Sequence, residues 1–207
     1  MFRHFCLTLI FAFTTSQLIA GEALAYMQNL ITNFESLRSE LVRDFSEQNR
    51  KVVSARARDL AIELSEIDEI GRLALGQYAA KIKEKDLRDF YALFHELMAN
   101  RVVAANLPSQ KMISNKIPIE IVAERSEADE VFKKEALVVN TNVPHKKQSF
   151  KVEFYLYRSA SGLKLYDVHV DGASTLLDFR NQFSSIIKKE GIKSLIKRLR
   201  EKIKKIK

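Results

Sequence analysis

Thiol chemistry is nearly absent from this chain of 207 residues, because Cys6 is its only cysteine. Cys6 lies in an apolar stretch behind Arg3-His4-Phe5, without the small neighbours a lipid-attachment cysteine needs. The chain beyond Cys6 must fold without disulfides, and thiolate metal sites and cysteine nucleophiles are excluded. Proline is scarce, with three residues, as is glycine with six, and tryptophan is missing. No apolar run reaches the roughly 20 residues that span a bilayer. Reaction motifs are missing too: there is no H-E-x-x-H, no G-x-S-x-G and no glycine-rich phosphate loop, and the histidines at 4, 95, 145 and 169 are scattered.

What is present begins with a leader. Arg3 precedes an apolar stretch from Phe5 to Phe13, followed by Thr14-Thr15-Ser16 and small residues at Ala20, Ala23 and Ala25. That is the three-part layout of a secretory signal peptide. Ala23-Leu24-Ala25 predicts cleavage before Tyr26, with a cut after Ala20 as the alternative. Residues 1–25 therefore read as leader and 26–207 as one exported domain, long enough to bury a core of its own.

The formal charge of +8 is local. Residues 188–207 hold ten Lys or Arg against two Glu, a net of +8, and Arg3 and Glu22 cancel within the leader, so 26–187 is neutral. Basicity belongs to the tail, and no nucleic-acid partner is expected.

Before Pro108 the chain reads as helices. Asp86 is the expected cap of a segment whose stripe is Leu87, Phe90, Tyr91, Phe94, Leu97, Met98 and Val102; Ile67 to Ile82 and the series Phe34, Leu37, Leu41, Phe45 show similar spacing. After Pro108 the period shortens. Residues 117–123, 132–141, 150–157 and 163–170 are rich in β-branched and aromatic side chains that alternate, predicting an antiparallel meander with a turn at Ser159-Ala160-Ser161-Gly162. Ser174 is a helix cap for Leu176, Phe179, Phe183 and Ile187, and Gly191 separates that helix from a basic amphipathic one, 192–206. The fold class expected is α+β: an antiparallel sheet of about four strands covered on one face by several helices.

Asp167, His169 and Asp171 alternate along one strand, a spacing that suits acid–base work or a weak metal site, although a solvated strand face explains it as well. A small exported enzyme built on these three is one alternative function; a membrane-surface adaptor acting through the basic tail is another. His95 reads as a rim residue, and Tyr155 and Tyr157 as members of a mixed strand face.

The segment Leu165-Tyr166-Asp167-Val168-His169-Val170-Asp171-Gly172-Ala173-Ser174, with Phe179-Arg180-Asn181-Gln182-Phe183, Gly191 and Leu195-Ile196-Lys197-Arg198-Leu199, resembles the MlaC family of periplasmic phospholipid-binding proteins. The family pattern is Y-D-V-x-V-x-G-V-S, then aromatic-R-x-x-F, then E-G-x-x-x-L-I-x-x-L; Ala173 and Phe179 depart from it conservatively. Leu75-Gly76-Gln77-Tyr78 and Phe90, Phe94, Leu97 resemble its upstream helices.

The resemblance implies a non-enzymatic periplasmic carrier that holds phospholipid tails in an apolar pocket and maintains outer-membrane lipid asymmetry. Its implied partners are phospholipid, an inner-membrane ABC transporter complex, an outer-membrane lipoprotein complex and, transiently, membrane surfaces. No cofactor, metal or catalytic residue is implied. With the pocket between sheet and helices, the expected lining is Leu75, Phe90, Phe94, Val152, Phe154, Leu156, Val168, Val170, Phe179 and Phe183. Arg180 is expected either to meet a headgroup phosphate or to pair with Asp167 or Asp171 and fix its helix. The resemblance reaches Arg200, leaving residues 201–207 to project. The tail itself reads as a docked helix with a solvated charged face, an arm for anionic headgroups, or a dock for transporter subunits.

Overall fold

A computed structural model describes residues 21–107, 109–110, 114, 116–145 and 148–206; the apolar stretch from Phe5 to Phe13, expected to belong to a signal peptide, lies outside them. Four helices come first, α1 (Glu22–Arg43), α2 (Glu47–Leu64), α3 (Ile67–Leu75) and α4 (Glu84–Asn106), with a 3-10 stretch, Gly76–Lys81, between the last two. Strands β1 (Glu120–Asp129), β2 (Lys134–His145), β3 (Gln148–Ser159), β4 (Gly162–Val170) and β5 (Ala173–Ser174) follow, and α5 (Thr175–Glu190) and α6 (Ile192–Ile206) close the order. Each strand pairs antiparallel with the next, in the order β1-β2-β3-β4-β5. This is the expected α+β class, with a two-residue fifth strand added.

Local chemistry sets most boundaries. Ser174 accepts the Leu177 amide at 2.8 Å, which starts α5, and Gly191 ends it at φ +82°, a conformation glycine adopts without penalty. α4 starts earlier than expected, with Lys83 at the cap position and no side-chain cap. Asp86 instead joins Glu84 in the first turn, where carboxylates complement the helix dipole.

Both faces of the sheet are buried, which a single covered face does not describe. Ala136, Val138 and Tyr155 join the main core with α3, α4, α5 and α6, while Leu137, Val139 and Leu156 pack with Ala23 and Met27 of α1. Successive strand residues point to opposite faces, so neighbours such as Leu137 and Val138 can be buried together only if helices lie on both sides. A bulge then redirects β4. Tyr155 pairs with Asp167 but Leu156 with Leu165, leaving Tyr166 as the extra residue. The Tyr166 ring meets Phe132, Tyr155 and Tyr157 at centroid distances of 6.3, 6.2 and 5.8 Å, and its hydroxyl donates to Asp129 at 2.8 Å. Tyr155, read from the sequence as part of a mixed face with Tyr157, is thus a core residue, and Tyr157, half-buried, packs against that core.

Two polar devices fasten helices to the sheet. Glu69 of α3 accepts from Arg72 at 2.6 and 2.8 Å and meets Lys134 of β2 at 2.9 Å, and the Lys134 ammonium lies 3.9 Å from the Tyr157 ring centroid. The Arg72 hydrogen bond above all, then Lys134, holds the Glu69 carboxyl down to about 2 against the opposing effect of burial. At the other end, Asp167 is 3 % exposed and accepts from the Val168 amide (2.7 Å), the Leu176 amide (2.8 Å), the Ser174 hydroxyl (2.5 Å) and His169 Nε2 (3.0 Å). Burial pushes its carboxyl up, and the Ser174 and Leu176 bonds pull against that.

These devices carry two expectations. A carboxyl whose folded pKa is depressed stabilises the fold above its unfolded pKa and loses that contribution as pH falls through the folded value. Glu69→Gln is therefore expected to destabilise the protein at neutral pH, with the gap to the parent closing between about 4.5 and about 2 in chemical denaturation at stepped pH. Asp167→Ala strips a buried acceptor from several donors at once, and a loss of about 3 kcal/mol or more is expected in the same assay.

Candidate functional site

An apolar cavity of about 240 Å³ opens where helices meet the edge of β4. Leu165, Tyr166, Asp167 and Val168 all border it. Four consecutive strand residues point alternately to the two faces, bulge aside, so the cavity meets β4 along its edge. That edge is open because β5 pairs only with His169 and Val170. Helices supply the remaining walls: Met27, Leu30, Ile31 and Phe34 from α1, Ala61 and Leu64 from α2, Ile67 and Ile70 from α3, Met98, Val102 and Asn106 from α4, and Thr175, Leu176 and Phe179 from α5. Phe154 of β3 and Ile117 and Ile119, just ahead of β1, complete it.

The lining holds no lysine, arginine or histidine. Its one carboxylate, Asp167, is engaged by the donors described above, so the wall presents hydrocarbon with few polar breaks. Arg38 stands behind the α1 wall, buried, donating to the carbonyls of Ser114 at 2.7 Å and Asn106 at 2.8 Å. It ties α1 to the end of α4, and burial lowers its pKa.

Of the residues expected to line a pocket, Phe154, Val168 and Phe179 border this cavity. Phe90, Phe94 and Phe183 pack on one another beside it, with centroid distances of 5.4 Å for Phe90–Phe94 and 5.7 Å for Phe90–Phe183, and Phe179 joins them at 5.7 Å from Phe94. Leu75 is fully buried in the same core, and Leu156 in the cluster under α1. Val152 is half-buried outside the cavity, and Val170 is 42 % exposed near the β4–β5 turn.

Arg180 donates through Nε to the Leu73 carbonyl at 2.8 Å and lies over the Phe132 ring at 4.4 Å, close against Gly76. It fixes α5 to α3 and to the β1–β2 turn through a carbonyl and a ring, where the sequence left open a headgroup phosphate or a pairing with Asp167 or Asp171. His95 bonds Asp68 at 2.8 Å and joins α4 to α3 at the surface.

The Asp167, His169, Asp171 series does not converge. Asp171 adopts φ +49° in the turn just past β4 and accepts the Lys151 amide at 2.9 Å, while His169 bonds Asp167. The Ser174 hydroxyl and His169 both bond the same Asp167 oxygen, so the imidazole does not take the serine proton as a nucleophilic triad requires. Nor does the tail project after Arg200: Ile203 is 3 % exposed in the main core, and α6 stays docked on α4.

The α1 wall was not anticipated from the sequence alone. Met27, Leu30, Ile31 and Phe34 recur at intervals of three, one and three, continuous with the stripe noted from Phe34 onward.

Among known proteins, no curated sequence matches the chain. The solved structure of a phospholipid-binding protein from Ralstonia solanacearum, in complex with a phospholipid, is similar at a TM-score of 0.63 and 15 % identity, over 89 % of this chain and 96 % of that one. The sequence profile of the family described as MlaC protein matches residues 33–201. The chain therefore belongs to the MlaC family.

Proposed function

We propose that this protein binds a phospholipid by enclosing its acyl chains in the cavity at the open edge of β4, and performs no chemistry on it. One observation carries the reading: five helices and the sheet converge on a cavity whose walls are almost wholly hydrocarbon. A two-tailed lipid exposes on the order of 30 methylenes, so keeping both tails out of water is worth about 24 kcal/mol at ~0.8 kcal/mol each. Apolar walls are what such a ligand needs, and the phospholipid held by the similar Ralstonia protein supports the assignment.

Family membership and the leader support the wider role: a periplasmic carrier moving phospholipid between outer and inner membranes, working with an inner-membrane ABC transporter and an outer-membrane lipoprotein complex. The first turn of α1 bears on where the leader ends. Ala23 is fully buried with Met27, Leu137 and Leu156, the Leu24 amide donates to Glu124 at 2.9 Å, and Glu22 pairs with Arg158 at 2.6 Å. A cut after Ala20 keeps these contacts; a cut after Ala25 removes them.

Two measurements test the reading. Mass spectrometry of an organic extract of the purified protein is expected to find diacyl phospholipid near one per chain, and Phe154→Asp or Ile31→Asp to abolish it while Phe154→Leu retains it. A folded Asp variant still carrying its lipid would sink the cavity assignment. The intact mass of exported protein is expected to correspond to a chain starting at Gly21, and a mass starting at Tyr26 would show the first turn of α1 to be dispensable.

A further inference from the structure

A second concavity, of about 730 Å³, runs between the start of α4 and the flank of α6. Isoleucines form its floor. Its rim carries Lys81, Lys83 and Lys85 on one side and Lys193, Lys197 and Arg200 on the other, all exposed, against the carboxylates of Asp86 and Asp89. Along α6 the cations at 193, 197, 200 and 204 recur every three or four residues, which puts one on each turn of a single stripe. Like charges so spaced repel one another, so the stripe costs the isolated helix stability and gains when an anionic surface covers it.

We propose that this cationic groove and the outer side of α6 form an electrostatic docking surface for an anionic phospholipid bilayer. The buried side of α6, formed by Leu195, Ile196, Leu199 and Ile203, is taken up by the core, so the helix cannot insert and its contacts are with headgroups. Lysine supplies five of the six rim cations. An ammonium is a hydrated point charge without the planar fork that grips one carboxylate, which suits many diffuse phosphates better than a single acidic peptide. The positive surface also continues past the rim, onto Lys188 and Lys189 at the end of α5 and Lys202, Lys204 and Lys205 of α6, all exposed.

The groove meets α4 at Asp86 and Asp89 and the cavity meets it between Met98 and Asn106, roughly 20 Å apart at 1.5 Å per residue. Docking through the groove therefore leaves the cavity walls uncovered, and adsorption is separable from lipid loading.

Co-sedimentation of the purified protein with vesicles tests the proposal. Binding is expected to phosphatidylglycerol–phosphatidylethanolamine vesicles at about 50 mM salt, to vanish near about 500 mM as screening shortens the range of charge interactions, and to be absent with pure phosphatidylcholine. K193E/K197E/R200E is expected to weaken binding by about 100-fold, and K81E/K83E/K85E on the opposite wall by a similar factor. Circular dichroism establishes that each variant is folded, and the second set keeps the test decisive if the first disturbs α6. Absence of anionic-vesicle binding by the parent protein at low salt overturns the proposal, even if the groove retains an acidic protein. Folded variants of both sets that bind like the parent overturn it too. Bound phospholipid is expected to be unchanged in both sets; its loss with vesicle binding intact counts against the cavity reading and leaves the docking surface standing.

Discussion

The Asp167 carboxylate joins three elements, β4, β5 and α5, at one buried point. It lies on β4, takes the Leu176 amide at the start of α5, and holds Ser174, which is both the end of β5 and the cap of α5. An unpaired carboxylate buried this deeply would be costly, so the arrangement exists only while every donor is in place. That requirement, together with the Arg180 bond to the Leu73 carbonyl, holds the start of α5 against β4 and α3. Leu176 and Phe179 thereby lie at the open edge of β4, where the cavity begins.

The cavity follows from an incomplete sheet. β5 covers the β4 edge only at His169 and Val170, and the residues before them face helices instead of a further strand. Helix side chains cannot fill such an edge as regularly as a strand does, and the space left is apolar because α1, α3 and α4 each turn their stripes toward it. The aromatic cluster of Phe90, Phe94, Phe179 and Phe183 closes one side with ring-on-ring packing. At the opposite end of α4 the chain concentrates its positive charge. One helix thus separates a hydrocarbon-lined interior from a cationic surface.

Much of this was legible beforehand. The helical period before Pro108, the alternation after it, Ser174 as a cap and Gly191 as a stop all correspond to elements of the structure, because each depends on residues within one or two turns of one another. The site was less legible. Phe90, Phe94 and Phe183 are as apolar as Phe179, yet only Phe179 among them borders the cavity, and no periodicity separates a ring that packs on rings from one that borders space. The bulge at Tyr166 was equally hidden, since alternation alone assigns that residue to the face of Val168 and Val170.

Sequence by itself determined the class of fold, the thiol-free chemistry of everything beyond Cys6, the placement of positive charge in the last helix and, through linked motifs, the family. Those are properties of composition and of short-range order. Tertiary structure decided which apolar side chains border a cavity, that Arg180 and Asp167 fasten α5, and that His169 bonds Asp167 while Asp171 takes the Lys151 amide. Most of these depend on contacts between residues far apart in the chain, settled by how helices and sheet pack, and local periodicity carries no record of that packing.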